Sequence, residues 1–488
     1  MQTTTHPEQA RRPAELLDVL LFCGAAAALR FFRLDGQSLW NDEMFSLDVA
    51  TSALPAIQAT LAAHYHHPPL FFILLHGILE MFGTGAGALR SLSALTGALT
   101  VPATYLFASR FWGRRAGVFA ASLCLVAPFH LAYSQEARPY ALAGLLCTLS
   151  CGSLMLALER RTPGRMAGYF ASSLALLLTH HWGVFVLISQ GILVVFFSPA
   201  DRKGKLIFAA LWAGLLVCYL PVLPGTASQA ASMASGGWFW AERPNLPELI
   251  HLAEAFTGTY FSMASSTFDS PFILKVVAGI AGTAVLLTGM PKLTGHHPDR
   301  FARAAGLCLP VTLLVPFAAS FIKPEIFLWY RYPVIVFPLF CLIAGYAAAA
   351  DRRQIAAVAV SVLIAVGSVN SMRLFSWSKS NVRDVALYVG QTLDESGVTM
   401  LIRPATFAPL LNYYYHGRAV QYDETYLDKP LGQIVDTASA FMYVSLDVHN
   451  SIRTYMDGHF DKISERVFPA QAHLGLIVGV YRQKPEEE

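Results

Sequence analysis

Four short stretches of this chain hold the residue types that can do chemistry. LWNDEMFSLDVA at 39–50 carries the adjacent acids Asp42 and Glu43. HYHHPPLFF at 64–72 carries His64, His66 and His67 ahead of Pro68-Pro69. AYSQEARPYAL at 132–142 carries Gln135, Glu136 and Arg138, and KPEIFLWYRYP at 323–333 carries Lys323, Tyr330 and Arg331. A carboxylate within hydrogen-bond reach of a hydroxyl can take its proton as a general base. Arginine is always charged and donates two parallel hydrogen bonds, which suits it to a phosphate on which negative charge builds up. Histidines can donate to the same phosphate or ligate a metal, although H-x-H-H by itself is a weak metal pattern. Each stretch also has a plain reading: a solvated acid pair, interfacial histidines, an ion pair at a helix end, and an arginine anchored between tyrosines.

What separates these readings is where the chain must put the four stretches. The 488 residues are 55% hydrophobic and only 14% charged, against roughly 25% charged in a soluble globular protein. Apolar runs of about 16–22 residues recur from Leu17 to Val369, close to the length that crosses the hydrocarbon core. That pattern predicts a polytopic α-helical membrane protein, with about 11–13 transmembrane helices. The run at 69–82 is too short for a full span and is expected to be a partial or interfacial helix, which gives about 11 crossings; about 13 follow if segments elsewhere are merged into single runs. Beyond Phe375 the long apolar runs stop, so residues 1–374 are expected to form the membrane module and 375–488 a small C-terminal α/β soluble domain. There, NVRDVALYVGQ and PLLNYYYHG read as helices, and VTMLIRP, AFMYVSL and LGLIVGVYR as strands of a partly parallel sheet. The net charge of +3 gives no basis for a nucleic-acid partner. All seven cysteines fall in apolar segments and imply no disulfide framework. The first helix has no small-residue cleavage pattern after it and is expected to be retained.

Basic residues cluster at Arg110/Arg114/Arg115, Arg160/Arg161/Arg165, Arg202/Lys203/Lys205 and Arg352/Arg353, and the positive-inside rule assigns these connections to the cytoplasm. The connections at about 34–68, 133–140, 179–182, 224–270 and 322–331, with the C-terminal domain, then face outward. All four chemical stretches share that face. Ionisable residues near membrane depth are expensive and usually mark a site, so their convergence weighs more than any one of them. In the loop at 224–270, Trp238, Phe239 and Trp240 are candidates to stack on a sugar, or to anchor in the interface.

L-W-x-D-E-x-x-S, H-P-P-L, S-Q-E-A-R-P-Y-A-L and a late R-Y-P, in that order, resemble the GT-C glycosyltransferases. More narrowly they resemble the bacterial relatives of the protein O-mannosyltransferases and the aminoarabinose transferase of lipid A. The motifs span residues 39–333, and hydropathy extends the likeness over the membrane part. The resemblance implies a multi-pass enzyme of the bacterial inner membrane, acting at the periplasmic face. It implies transfer of a sugar from a polyprenyl-phosphate donor to a lipid, glycan or protein acceptor, typically with inversion. Asp42 matches the family's principal catalytic acid, with Glu43 beside it. Arg138 and Arg331 match the family's basic residues that hold the donor phosphate; on chemistry alone Lys323 is a weaker candidate for that role and His67 a further donor to the phosphate, and Gln135, Glu136, Tyr330 and Trp240 are candidates to bind substrate. Some branches hold a divalent metal. Here histidines precede Pro-Pro where another branch has Glu-Lys, so metal use stays open, with Asp42, His66, His67 and Glu136 as candidate ligands. A transporter or flippase of lipid-linked saccharides is the alternative. It predicts pseudo-repeated halves and charges at the bilayer midplane, whereas no inverted repeat is evident here and the charges gather at one face.

Overall fold

A computed structural model describes residues 8–64, 67–197, 201–224, 244–263, 266–294, 300–322, 326–351, 353–377, 381–396, 399–403, 408–415, 420–421, 440–446, 460–468 and 476–483. The chain divides into two compact units. One comprises residues 1–34, 46–261 and 269–375, and the other 35–45, 262–268 and 376–488.

The first unit is helical. Its elements begin with α1 (Glu8–Phe31), and the helix α2 (Asn41–Thr51) enters it from the second unit. Then come α3 (Leu54–His64), α4 (Leu70–Phe82), α5 (Ala86–Trp112), α6 (Arg114–Val126), α7 (Pro128–Ser134), α8 (Tyr140–Glu159), α9 (Pro163–Leu177), α10 (Gly183–Ile192) and α11 (Arg202–Tyr219). After the outer loop follow α12 (Leu246–Phe256), α13 (Phe272–Thr294), α14 (Arg300–Ala319), α15 (Phe337–Ala350) and α16 (Ile355–Leu374). Helices dominate because hydrocarbon offers no partner to a backbone N–H or C=O, and a helix satisfies its own. Among the described residues, six helices are long and apolar enough to cross a membrane. The bent pair α6 and α7 makes a seventh, and three apolar helices are shorter. One of the short ones is α4, with 13 residues, so the stretch expected to fall short of a full span does so. Among the described residues, length and composition thus support six to seven spans, against the 11–13 expected from hydropathy. Leu216, Val217, Ile280 and Leu287 are exposed on α11 and α13, as side chains facing lipid tails would be.

The bend between α6 and α7 is 61°, and its cause is local. Pro128 has no N–H to donate, and it drives the preceding Ala127 into extended backbone (φ −71°, ψ 116°). Carbonyls at the end of α6 are thereby freed. Fully buried Arg30 takes two of them, donating from Nη2 to Cys124 O at 3.1 Å and from Nη1 to Leu125 O at 3.3 Å. Ser371 takes a third, donating to Val126 O at 2.8 Å. Nη2 of Arg30 also donates to His130 Nδ1 at 3.0 Å. In return Gln135 closes the end of α1, its amide donating to Arg30 O at 3.0 Å and Phe32 O at 2.9 Å. Small residues allow a close helix contact: a Cβ on Gly345 of α15 would lie 2.5 Å from the Ala116 carbonyl of α6.

In the second unit, the helices α17 (Val382–Ser396) and α18 (Ala408–Tyr414) accompany a five-stranded sheet. With a short hairpin at Tyr260–Met263 (β1) and Ser266–Asp269 (β2) counted first, the sheet strands are β3 (Thr399–Arg403), β4 (Val420–Gln421), β5 (Ala440–Leu446), β6 (Phe460–Phe468) and β7 (Leu476–Gln483). Their order is β4-β3-β5-β7-β6, parallel on both sides of β3 and antiparallel on both sides of β7. The mixed sheet is the partly parallel one the sequence predicts. β6 is additional: only its end residues Phe460 and Phe468 are buried, so this edge strand has no apolar alternation to betray it.

Candidate functional site

In the first unit, side chains from four separated segments meet at the helix ends. The second outer loop supplies Arg138. Its N–H closes a turn onto Glu136 O at 2.7 Å, and Pro139, which tolerates the first turn of a helix, leads into α8. The guanidinium is 95% buried and donates from Nη2 to His67 Nε2 at 2.8 Å. Arginine can only donate, so Nε2 of His67 is the acceptor and the imidazole carries its proton on Nδ1. Glu136 of the same turn is buried.

The third outer loop adds His180, whose ring centroid lies 5.4 Å from that of His67. The Trp182 N–H donates to His180 Nδ1 at 3.1 Å, so this imidazole carries its proton on Nε2, a buried atom with no hydrogen-bond partner among the described residues. Burial, first, and then the neighbouring His181 and the positive Arg138 hold the His180 pKa well below the ordinary histidine value, so the ring is neutral. Tyr140 and Tyr332 wall it in, with centroids at 5.6 and 5.1 Å.

The late segment is tied in through its backbone. Tyr133 donates its hydroxyl to Tyr330 O at 2.6 Å, and Trp182 donates its indole N–H to Ile326 O at 3.0 Å. Arg331 is half-buried, its guanidinium 5.5 Å from the centre of the Tyr330 ring. Trp329 stacks with His251 and Tyr260, and Lys275 sits over the Tyr260 ring while pairing with Asp269 at 2.6 Å and Glu254 at 3.6 Å. The second and third outer loops are fixed similarly: Leu70 N–H donates to Leu178 O at 2.9 Å, and Ser93 Oγ donates to Arg138 O at 3.1 Å.

Of the residues singled out in the sequence, His67, Glu136, Arg138, Tyr330 and Arg331 thus belong to one connected group of loops. Gln135 sits at its border, with its amide engaged in capping α1. Asp42 and Glu43 open α2, where Trp40 O accepts the first helical hydrogen bonds from Glu43 N–H at 2.9 Å and Met44 N–H at 3.0 Å. Glu43 is fully buried and Asp42 half-buried, so Asp42 is the more accessible of the two. The unpaired N–H groups of a helix's first turn favour such acids. Both belong to the second unit. Lys323, Trp240 and His66 lie outside the described residues. No three metal-ligating side chains converge among the described residues, and His67 Nε2 faces a guanidinium, which opposes a second cation at that nitrogen. From the sequence, packing or interface placement outweighs a functional role for His180-His181-Trp182. The one signal of His180 is an HHW triplet on the assigned outer face, between two apolar helices.

As a group these residues offer two cations, a buried acid and two neutral imidazoles inside a wall of tyrosines. Such a set is suited to an anion attached to an apolar body. Residues 66–226 match the family described as dolichyl-phosphate-mannose-protein mannosyltransferase. No curated protein matches the chain in sequence. Among solved structures, the apo form of ArnT from Cupriavidus metallidurans is similar at a TM-score of 0.60 and 14% identity, over 96% of this chain and 98% of that one. ArnT bound to undecaprenyl phosphate gives 0.56 and 16%, over 94% and 97%. The oligosaccharyltransferase of Archaeoglobus fulgidus, in complex with Zn and sulfate, gives 0.53 and 13%, over 94% of this chain and 72% of that one.

Proposed function

Because the chain has the GT-C fold, we propose that it is a membrane glycosyltransferase that uses a polyprenyl-phosphate sugar as donor. The sugar passes to a lipid, glycan or protein acceptor at the periplasmic face of the bacterial inner membrane. The observation that carries this reading is the buried Arg138–His67 pair beside His180, walled by Tyr140 and Tyr332. It is a buried cationic cluster in a fold that, in ArnT, has been seen with undecaprenyl phosphate.

The reaction follows from the groups. The acceptor hydroxyl gives its proton to Asp42, and the oxygen forms a bond to the sugar's anomeric carbon. The bond from that carbon to the phosphate oxygen breaks, with inversion. The phosphodiester becomes a phosphomonoester and gains negative charge. Arg138 gives up the imidazole nitrogen for a phosphate oxygen, because an anionic acceptor binds a guanidinium more strongly than a neutral one. His67, released from Arg138, can bind a proton at Nε2 and donate it in a hydrogen bond to the phosphate, and Arg331 adds the second cation. The lipid tail stays in the bilayer while its head group reaches the loops.

The test is release of undecaprenyl phosphate by purified protein in nanodiscs, from a panel of undecaprenyl-phosphate hexoses and aminopentoses with a membrane-lipid extract as acceptor. Asp42→Asn is expected to lower release by roughly 100- to 10,000-fold. An Asp42→Asn protein as active as the wild type removes Asp42 as base. A wild type that binds a donor tightly but releases nothing favours transport of the lipid-linked saccharide instead.

A further inference from the structure

The segment that carries Asp42 is held by the second unit. Residues 35–45 cluster with the C-terminal residues, although more than three hundred positions separate them. Among the described residues, hydrogen bonds from Arg383, Gln37 and Leu39 make the attachment. Arg383 Nη2 donates to Asp35 O at 2.8 Å, and the Arg383 backbone N–H donates to Ser38 Oγ at 3.2 Å. The Gln37 amide donates to Trp377 O at 3.0 Å. Leu39 N–H donates to the Tyr414 hydroxyl at 2.7 Å. Leu39 is fully buried and Ser38 nearly so. The Arg383 guanidinium lies 5.4 Å from the Tyr414 ring, so the two anchoring side chains also brace each other. Trp40, whose carbonyl receives the first bonds of α2, is the next residue after Leu39, and Asp42 follows two positions later.

We infer that Tyr414 and Arg383 are positioning residues for the reaction: they fix the start of α2 and thereby the carboxylate of Asp42. The inference rests on Asp42 being the base. It gives the C-terminal domain a task in the chemistry beyond any part in recognising the acceptor. A stretch without regular structure, such as 35–40, has no helical bonds of its own to set its course, so side-chain ties from another element must do so. A misplacement of about 1 Å in a reacting group costs on the order of 100-fold in rate, so loosening one tie of several should cost less than that.

Tyr414→Phe keeps the ring and removes only the oxygen that accepts from Leu39, and Arg383→Met removes the donor to Asp35 while keeping an apolar stem. Each is expected to lower the transfer rate at saturating undecaprenyl-phosphate sugar by roughly tenfold, with the affinity for undecaprenyl phosphate unchanged. Arg383→Lys, which retains a donor, should recover part of the rate. The decisive arm repeats Tyr414→Phe in the Asp42→Asn background. There the residual rate should not fall further, because the positioned group is gone. A fall by the same factor as in the wild type shows that Tyr414 acts through something other than Asp42 and overturns the inference, as does a Tyr414→Phe protein with wild-type rate. If Asp42→Asn alone transfers normally, the base assignment itself fails and this inference goes with it.

Discussion

Replacing Arg138 by methionine is the sharpest probe of the pocket. The guanidinium is 95% buried and already ordered, with one arm at 2.8 Å from His67 Nε2. Hydrogen bonds to a charged partner contribute about 1.5–3 kcal/mol each, and a guanidinium can make two in parallel to a phosphate. Against this stands the bond to neutral His67 that must be given up, worth about 1 kcal/mol. The balance is about 2–5 kcal/mol, or roughly 30- to 4,000-fold in affinity at about 1.4 kcal/mol per tenfold. The assay is titration of nanodisc-embedded protein with undecaprenyl phosphate, and in parallel with undecaprenol, which has the same tail and no phosphate. Arg138→Met should lose that factor for the phosphate and leave undecaprenol binding as it was. Arg138→Lys should fall between, because an ammonium offers a point charge and no fork. If Arg138→Met binds undecaprenyl phosphate within threefold of wild type while remaining folded, Arg138 is not a phosphate ligand, and the reasoning from burial and geometry to anion binding is refuted.

Two further predictions concern the frame around the pocket. Arg30→Met strips a donor from Cys124 O, Leu125 O and His130 Nδ1 at the α6–α7 bend, and buried acceptors left without donors cost about 1–3 kcal/mol each before relaxation. A loss of about 3 kcal/mol is expected as a lowered midpoint of thermal unfolding in detergent, with Arg30→Lys recovering part of it. His180 is neutral in the folded protein and its pKa lies below the ordinary value of 6.5. The unfolded chain therefore binds a proton that the native one does not as pH falls below about 6.5. The stability His180 contributes is full above that pH and is lost as pH falls toward the native pKa. The thermal midpoint should drop between pH 7.5 and 5, and the drop should shrink in His180→Gln. An imidazolium signal from His180 in nitrogen-15 spectra at pH 7 would contradict this.

The sequence reveals the loops of this site better than the side chains' tasks. Asp42, His67, Arg138 and Arg331 stand out because a charged or titratable group next to an apolar run is expensive and therefore conspicuous. Gln135 stands out as a neutral polar residue in the same motif as Arg138 and was expected on the substrate. Its amide caps α1, and the carbonyls it serves lie 103 to 106 positions earlier, a pairing no local pattern records. His180 is inconspicuous between two apolar helices, and only the hydrogen bond from Trp182 shows which nitrogen carries its proton. The attachment of residues 35–39 to Arg383 and Tyr414 is invisible for the same reason as the Gln135 cap. Local periodicity reports which face of an element is apolar, not which distant backbone group needs a donor.

That need for donors also accounts for how the pocket is held. Loops beside hydrocarbon cannot leave their carbonyls to water as surface loops do, so each must find a donor in the protein. Here Tyr133 serves Tyr330 O, Trp182 serves Ile326 O, Ser93 serves Arg138 O, Leu70 N–H serves Leu178 O, and Gln135 serves the end of α1. In every case one segment satisfies the backbone of another. Most of the donors are hydroxyls, an indole or amides, which carry no charge. The charged and titratable heads of Arg138, Arg331, His67 and His180 are distinct from the donors of these backbone ties. They can exchange partners, as Arg138 must when a phosphate displaces His67, without unmaking the ties between loops. A site that holds its shape while its charged groups change partners is preorganised for charge that develops during reaction. The arrangement implies that Tyr133→Phe and Arg138→Met should be distinguishable. The first loosens the frame and should act mainly on stability, and the second removes the ligand and should act mainly on phosphate affinity.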